Sequence, residues 1–340
     1  MKNNGIKAII VVPTIREVTF LEDWREEFEP HKIIICEDRP NKSVKLPKGF
    51  NIDHYSWAEI DSELGSSSWI IPRYNASVRS FGYWKAWQER PDMIVTIDDD
   101  CYPHHRSNGN GNGNGKANGN GKNGNGAGAG FIAGHWANLQ AKATLGWELT
   151  ADFYTRGFPY AVRDSASVLV SHGLWAGIPD LDAPTQLVQP HLKVDEDTKT
   201  KVIPRGTYLP MSGMNLAFSP AIAPAMYFLL QGRDWPYDRF DDIWAGVLVK
   251  KICDHLGYGI RSGAPLVEHK RASDVFKNLQ KEAAGIEVNE YFWRAVDSVH
   301  LEETTIRDCY IELARKLPLE GEYWDKLKEA MVLWAELFVE

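Results

Sequence analysis

Met93-Ile94-Val95-Thr96-Ile97-Asp98-Asp99-Asp100-Cys101 constrains the fold more than any other stretch. An apolar, β-branched run reads as a buried strand. It stops on three consecutive carboxylates, which an apolar core does not accept unpaired. A cation has to meet them. In an open α/β sheet, ligands bind in the crevice outside the carboxyl ends of the strands. Acids placed there hold a divalent metal through oxygen ligands, and such a metal commonly bridges phosphates. The triplet therefore points to a Mn2+ or Mg2+ site for a nucleoside-diphosphate group, with Asp98 and Asp100 as ligands and Asp99 beside them. A solvated acidic turn is the plainer alternative.

Composition narrows the class. A chain of 340 residues with 44% hydrophobic and 25% charged residues is ordinary for a globular protein with a sizeable core, in one large domain or two smaller ones. The formal net charge of -8 and pI near 5.7, without a Lys/Arg block, argue against a nucleic-acid partner. Acidic ligands then depend on local arginines. Cys36, Cys101, Cys253 and Cys309 are far apart and form no CxxC pair, which suggests neither a zinc site nor a disulfide framework and fits a reducing cytoplasm. The apolar run Ala8 to Val12 is too short for a signal segment or a membrane span, so a soluble protein is expected.

Ile6 to Val12 reads as a buried first strand, and the following Pro13-Thr14-Ile15-Arg16 as a loop suited to a nucleotide through Thr14 and Arg16. Thr19 and Glu22 have capping-box spacing for a helix over Phe20 to Trp24. Lys32 to Cys36 is a second strand ending on Glu37-Asp38, where Asp38 either meets a base or ribose or closes a turn. Residues 73–87 carry apolar positions at helical spacing. Arg73 and Arg79 lie six apart there, and their planar forks suit a diphosphate if they are not simply solvated. From Ser107 to Gly130 the chain is almost wholly Asn and Gly, and lacks apolar side chains to offset the entropy of ordering, so disorder is expected.

Ser167 to Val170 reads as a strand running into an aromatic corner at Trp175, with His172 either a core histidine or a site residue. Asn215, within Ser212 to Phe218, must find partners in the core or contact a ligand. Pro220 to Leu230 reads as a helix. Ile243, Val247, Ile252 and Leu256 mark another, with Asp241 and Asp242 at its start, where the helix dipole favours ionised acids. One of the two acids could cap the helix; the other is then free for a sugar hydroxyl or a proton. Pro265 to His269 is a short strand ending in an imidazole, a better ligand for Mn2+ than for Mg2+. From Ala272 onward the pattern is helical and carries no assigned chemistry. The division is thus 1–271 for an α/β domain and 272–340 for a helical extension.

Five strings together resemble one family. They are Thr96-Ile97-Asp98-Asp99-Asp100-Cys101, Val170-Ser171-His172-Gly173-Leu174-Trp175, Asp182-Ala183-Pro184-Thr185-Gln186-Leu187-Val188, Gly213-Met214-Asn215-Leu216-Ala217-Phe218 and Asp241-Asp242-Ile243-Trp244-Ala245-Gly246. In this order they resemble the reversibly glycosylated polypeptides, or UDP-arabinopyranose mutases. The resemblance implies an α/β, GT-A-like fold with a mixed, mostly parallel central sheet, and a nucleotide-sugar domain over 1–271. It also implies a UDP-sugar substrate, a divalent metal, homo- or hetero-oligomers, and interconversion of the pyranose and furanose forms of UDP-L-arabinose. Reversible self-glycosylation of an arginine is implied too, with Arg163 at the matching position, although Arg163-Asp164-Ser165 stands where the family has Arg-Glu-Gly. The Asn/Gly segment is a second departure. A transferase acting on another acceptor and a non-catalytic subunit are the competing readings.

Overall fold

The computed structural model describes residues 5–104, 130–147, 153–194, 199–270 and 273–339. Within them the strands are β1 (Ala8–Thr14), β2 (Lys32–Glu37), β3 (Asn51–Tyr55), β4 (Met93–Ile97), β5 (Cys101–Pro103), β6 (Lys142–Ala143), β7 (Ala166–Ala176), β8 (Lys201–Val202), β9 (Asn215–Phe218) and β10 (Gly259–His269). The helices are α1 (Arg25–Phe28), α2 (Trp57–Leu64), α3 (Arg79–Gln88), α4 (Phe131–Gln140), α5 (Ala183–Val188), α6 (Asp241–Leu256), α7 (Val275–Ser298), α8 (Ile306–Lys316) and α9 (Glu322–Glu336). Residues 107–129 of the Asn/Gly segment lie outside the described residues, and Gly130 directly precedes α4.

The main sheet runs in the order β3-β2-β1-β4-β9-β7-β10-β5. Strands β3, β2, β1 and β4 are mutually parallel, and so are β7 and β10. Only β9 separates the two groups, and it is antiparallel to both β4 and β7. The two groups therefore point the same way. This is the mixed, mostly parallel α/β sheet that the family resemblance implies.

Because side chains alternate across a strand, the sheet builds two cores. Ile9 and Val11 face one side with Ile34, Cys36 and Ile94. Ala8, Ile10 and Val12 face the other with Ile33, Ile35, Met93 and Val95. The first face is completed by helices from both parts of the chain. Trp244 of α6 stacks on Phe292 of α7 with ring centroids 4.7 Å apart, and Trp334 of α9 stacks on Tyr227 at 5.3 Å. Removing one such buried ring costs about 3–5 kcal/mol, so the helices after residue 272 share the core of the sheet and do not merely decorate it.

Three local expectations change. Residues Thr19–Glu22 form a 3-10 turn without a side-chain cap, and Glu22 pairs instead with Arg25. Pro220 to Leu230 is not a helix: a 3-10 segment stops at Ala225, where Pro224 interrupts the turn. β7 continues through Ser171 to Ala176, where the sequence pattern suggested a corner, because β10 pairs with it along that length.

Candidate active site

Since β1, β4, β7 and β10 share one direction, their carboxyl ends lie on one edge of the sheet. The turn before the oppositely directed β9 comes to the same edge. A cleft of about 910 Å³ opens there, and its lining includes Thr14, Arg16, Asp38, the Asp98–Asp100 triplet, Asp180, the Asp241–Asp242 pair and His269. Most of the residues expected at the site are thus brought together by strand direction alone.

Each acid of the triplet has a different environment. Asp98 pairs with Arg79. Asp99 Oδ2 accepts from Thr14 Oγ1 at 2.6 Å and lies 3.2 Å from Arg16 Nε; burial raises its pKa, and the Thr14 hydrogen bond offsets part of that. Asp100 Oδ2 is 3.9 Å from His269 Nε2. Burial, then the charges of Asp98 and Asp99, push Asp100 up to about 7. A carboxyl held there by like charges gains most from an added cation. Carboxylate oxygens beside an imidazole are also a donor set suited to Mn2+. Among the described residues, however, no three His, Cys, Asp or Glu side chains are already grouped for a metal.

The second acidic group starts α6. Asp241 Oδ2 accepts from Ser77 Oγ at 2.8 Å, and Asp242 Oδ2 accepts from the Gly213 N–H at 2.8 Å. Neither is the N-cap, a position taken by Phe240 without a side-chain cap bond. Burial followed by the charge of Asp242 raises Asp241 to about 7. Burial, with Asp180 adding to it and the Gly213 hydrogen bond opposing, raises Asp242 to about 6. Asp242 Oδ1 also accepts from the Ile243 N–H at 2.9 Å in the first turn, yet desolvation and neighbouring charges outweigh the pull of the helix dipole toward the ionised form. Two buried carboxyls that titrate near neutrality can exchange a proton with a substrate hydroxyl.

At the other end of the cleft, Asp38 Oδ1 accepts from Trp57 Nε1 at 2.8 Å and from the Tyr74 N–H at 3.0 Å. Tyr74 is held at φ 56, its ring at 83° to that of Trp57 and with Arg233 Cζ 4.7 Å from its centroid, and it lines the cleft. A partly exposed ring beside a carboxylate offers an edge and an acceptor to a heterocyclic base.

Four expected ligands have other duties. Arg79 is buried, with Nε donating to the Ala76 carbonyl at 3.0 Å, Nη1 to the Gly213 carbonyl at 2.6 Å and Nη2 to Asp98. Its fork is spent on holding Asp98 and the turn before β9, and none is left for a phosphate. Arg73 turns away to Asp61 at 2.8 Å and is not part of the cleft wall. His172 is buried in β7. Its Nε2 accepts from the Ser212 N–H at 3.1 Å, so Nδ1 carries the proton toward Ser262 Oγ at 2.9 Å, and burial lowers its pKa to about 4. Asn215 donates to the Leu174 and Pro265 carbonyls at 2.9 Å each, which turns Oδ1 to His135 Nε2, also at 2.9 Å. Gly173 is required there, since a Cβ would stand 2.2 Å from the Asn215 amide. Both side chains fix the backbone behind the cleft.

Arg163 stands elsewhere. It precedes β7, so it belongs to the edge opposite the cleft. The acid pair is level with His172, through Ser212 and Gly213, six residues along β7 from Ala166, a separation of roughly 20 Å at about 3.3 Å each. Its guanidinium lies 3.9 Å from the Tyr160 ring centroid and 4.9 Å from that of Tyr154, with Nη2 donating to the Phe158 carbonyl. The expected grouping of Arg163 with Asp241 and Asp242 in one site is therefore not formed within one chain.

Sequence reading missed Asp180, Ser212, Tyr74 and Arg239. Ser212 Oγ donates to Asp180 Oδ2 at 3.0 Å, and burial raises Asp180. Arg239 stands two residues before Asp241, with Phe240 between, and that proximity was its one available signal.

The family model described as reversibly glycosylated polypeptide matches residues 3–114 and 121–340. A probable UDP-arabinopyranose mutase 1 of Solanum tuberosum is 40% identical, with 97% of this chain and 90% of the relative covered. UDP-arabinopyranose mutase 1 of Arabidopsis thaliana is 39% identical, with 97% and 92% covered. Among solved structures, glucosyl-3-phosphoglycerate synthase of Mycobacterium tuberculosis, in complex with Mn2+, UDP-glucose and phosphoglyceric acid, superposes with a TM-score of 0.41 at 12% identity, over 94% of this chain and 83% of that one.

Proposed function

Because the chain belongs to the reversibly glycosylated polypeptide family, we propose that it is a UDP-arabinopyranose mutase working in the cleft at the carboxyl edge of a GT-A-like sheet. Its substrates in this reading are UDP-L-arabinopyranose and UDP-L-arabinofuranose, in the cytoplasm. No helix among the described residues is long and apolar enough to cross a membrane. The observation that carries the reading is the convergence of the acid triplet and the buried acid pair on one cleft.

The chemistry balances on these residues. The bond between C1 and the diphosphate oxygen breaks, its electron pair leaving with UDP, and re-forms after the ring has changed size. In between, O4 gives up its proton and joins C1, while O5 leaves C1 and takes a proton. Asp241 and Asp242, both near neutrality, are the groups to receive the first proton and return the second. Asp38, Tyr74 and Thr14 hold the nucleoside end, and Arg16 faces the diphosphate. Asp98, Asp100 and His269 would hold Mn2+ or Mg2+, which when bound supplies charge stabilisation to the departing UDP.

Self-glycosylation of Arg163 fits this reading as a reaction between molecules, one cleft serving a second copy, given the roughly 20 Å along β7 between its start and the level of the acid pair. A guanidinium is also a poor nucleophile while protonated. The test is to incubate the protein with UDP-arabinopyranose and Mn2+ and to separate the products. Appearance of the furanose form, and the reverse reaction from it, supports the mutase. Transfer to another acceptor, or binding without product, overturns it in favour of a transferase or a silent subunit.

A further inference from the structure

Of the cationic side chains raised for phosphate binding, Arg79 is fully engaged, Arg73 faces Asp61 and Arg163 lies across the sheet. Arg239 is different. It lines the cleft next to the acid pair, and its side chain keeps about 33% of its surface exposed. Its Nε donates to Glu282 Oε1 at 2.8 Å. Among the described residues neither Nη nitrogen has a hydrogen-bond partner, so the outer half of the fork is free. The charges that reach it from the cleft are Asp180 and Asp242, whereas Arg16 lies against Asp99.

The surrounding structure holds Arg239 in place against its own backbone preference. Its φ of 69 is left-handed, a conformation uncommon for a residue with a Cβ and concentrated at ligand clamps and active sites. Glu282, itself buried, grips it from α7 and with its other oxygen accepts the Ala183 N–H at 2.6 Å. One residue earlier on α7, Lys281 Nζ lies 3.1 Å from Asp238 Oδ2. On the next residue, the Phe240 N–H donates to the buried Gln231 Oε1 at 2.8 Å. A guanidinium tethered through Nε presents Nη1 and Nη2 as a preorganised pair of donors, the geometry that binds a phosphate through two oxygens.

We propose that Arg239 is the residue that clamps the β-phosphate of the nucleotide from the sugar side, with Glu282 as its positioning residue. The proposal rests on the UDP-sugar reading and deepens it. It also explains why an anion enters a cleft walled so largely by carboxyls.

The test compares UDP with UMP, which lacks the β-phosphate, by calorimetric titration of the full chain with Mn2+ present. Arg239→Gln is expected to weaken UDP binding roughly ten- to hundredfold, the scale of a lost pair of hydrogen bonds to a charged group, and to leave UMP within about twofold. Arg239→Lys keeps the charge without the fork and should fall between wild type and Arg239→Gln. Glu282→Gln should weaken UDP selectively and by less. UMP retention serves as the check on folding. Unchanged UDP affinity in Arg239→Gln overturns the proposal, as does an equal loss of UDP and UMP. Failure of the mutase reading shows separately, as wild-type protein that binds UDP selectively through Arg239 but forms no furanose product.

Discussion

At the carboxyl edge of the sheet, Asp98, Asp99, Asp100, Asp180, Asp241 and Asp242 surround one cleft, and burial together with mutual repulsion raises most of them. At the opposite edge Arg163 lies among Tyr154, Phe158 and Tyr160, and Tyr160 is 83% exposed. The first edge holds charge under strain that a cation or a proton relieves. At the second, the Arg163 guanidinium is already matched to aromatic faces. In the proposed reading, binding and proton transfer fall to the first edge, and Arg163 would act only on a second copy.

The sharpest way to break this contrast is at the acid pair. Asp241→Asn should lower ring interconversion by roughly hundredfold or more, the scale of a lost general acid–base group, with UDP binding retained. An undiminished rate, followed by product separation, would remove the pair from the chemistry. Next in size, Asp100→Asn should weaken Mn2+-supported UDP binding by roughly tenfold or more, and chelation should have little further effect on that variant. Binding that still responds fully to chelation would put the metal elsewhere.

The effect of pH is smaller and has a definite sign. Asp100 is raised to about 7, so it is protonated below that value and competes there with a metal. Mn2+-supported UDP binding should therefore weaken as pH falls below 7, approaching about tenfold per unit for one competing proton. Stability in metal-free buffer runs the other way. Carboxyls whose folded pKa is raised stabilise fully below the ordinary carboxylate range and lose that contribution as pH rises through their folded values. For Asp242, Asp241 and Asp100 this means a melting temperature that falls between about pH 4 and pH 7. Added Mn2+ should recover more of it at pH 8 than at pH 6. The smallest effect belongs to the opposite edge: Arg163→Ala should leave UDP affinity within about twofold of wild type, as measured by titration.

What the sequence disclosed and what it hid follow from how far each feature reaches along the chain. The strand before the acid triplet, the two-sided burial of the sheet and the long α6 are local patterns of period 2 and 3.6, and they were legible. The convergence of Thr14, Asp38, Asp98–Asp100, Asp241–Asp242 and His269 was legible in part, because parallel strands place their carboxyl ends together. His172 and Asn215 were not, since a lone polar residue in a strand looks alike whether it meets a ligand or a backbone. Their fates are set by Ser212, 40 residues from His172, and His135, 80 residues from Asn215. The engagement of Arg79 with Asp98 and the Gly213 carbonyl was hidden for the same reason: spacing reveals a guanidinium but not what already occupies it. The motif at Arg163 was found, while its edge depended on β9 inserting antiparallel between β4 and β7, a pairing of distant segments.

A crystal structure of the protein with Mn2+ and UDP, with the metal identified by its anomalous scattering, tests the central claim most directly. The account predicts UDP in the carboxyl-edge cleft, the anomalous peak beside Asp98, Asp100 and His269, and the β-phosphate facing Arg239. UDP bound at the Arg163 edge, or a metal peak away from the acid triplet, would contradict it.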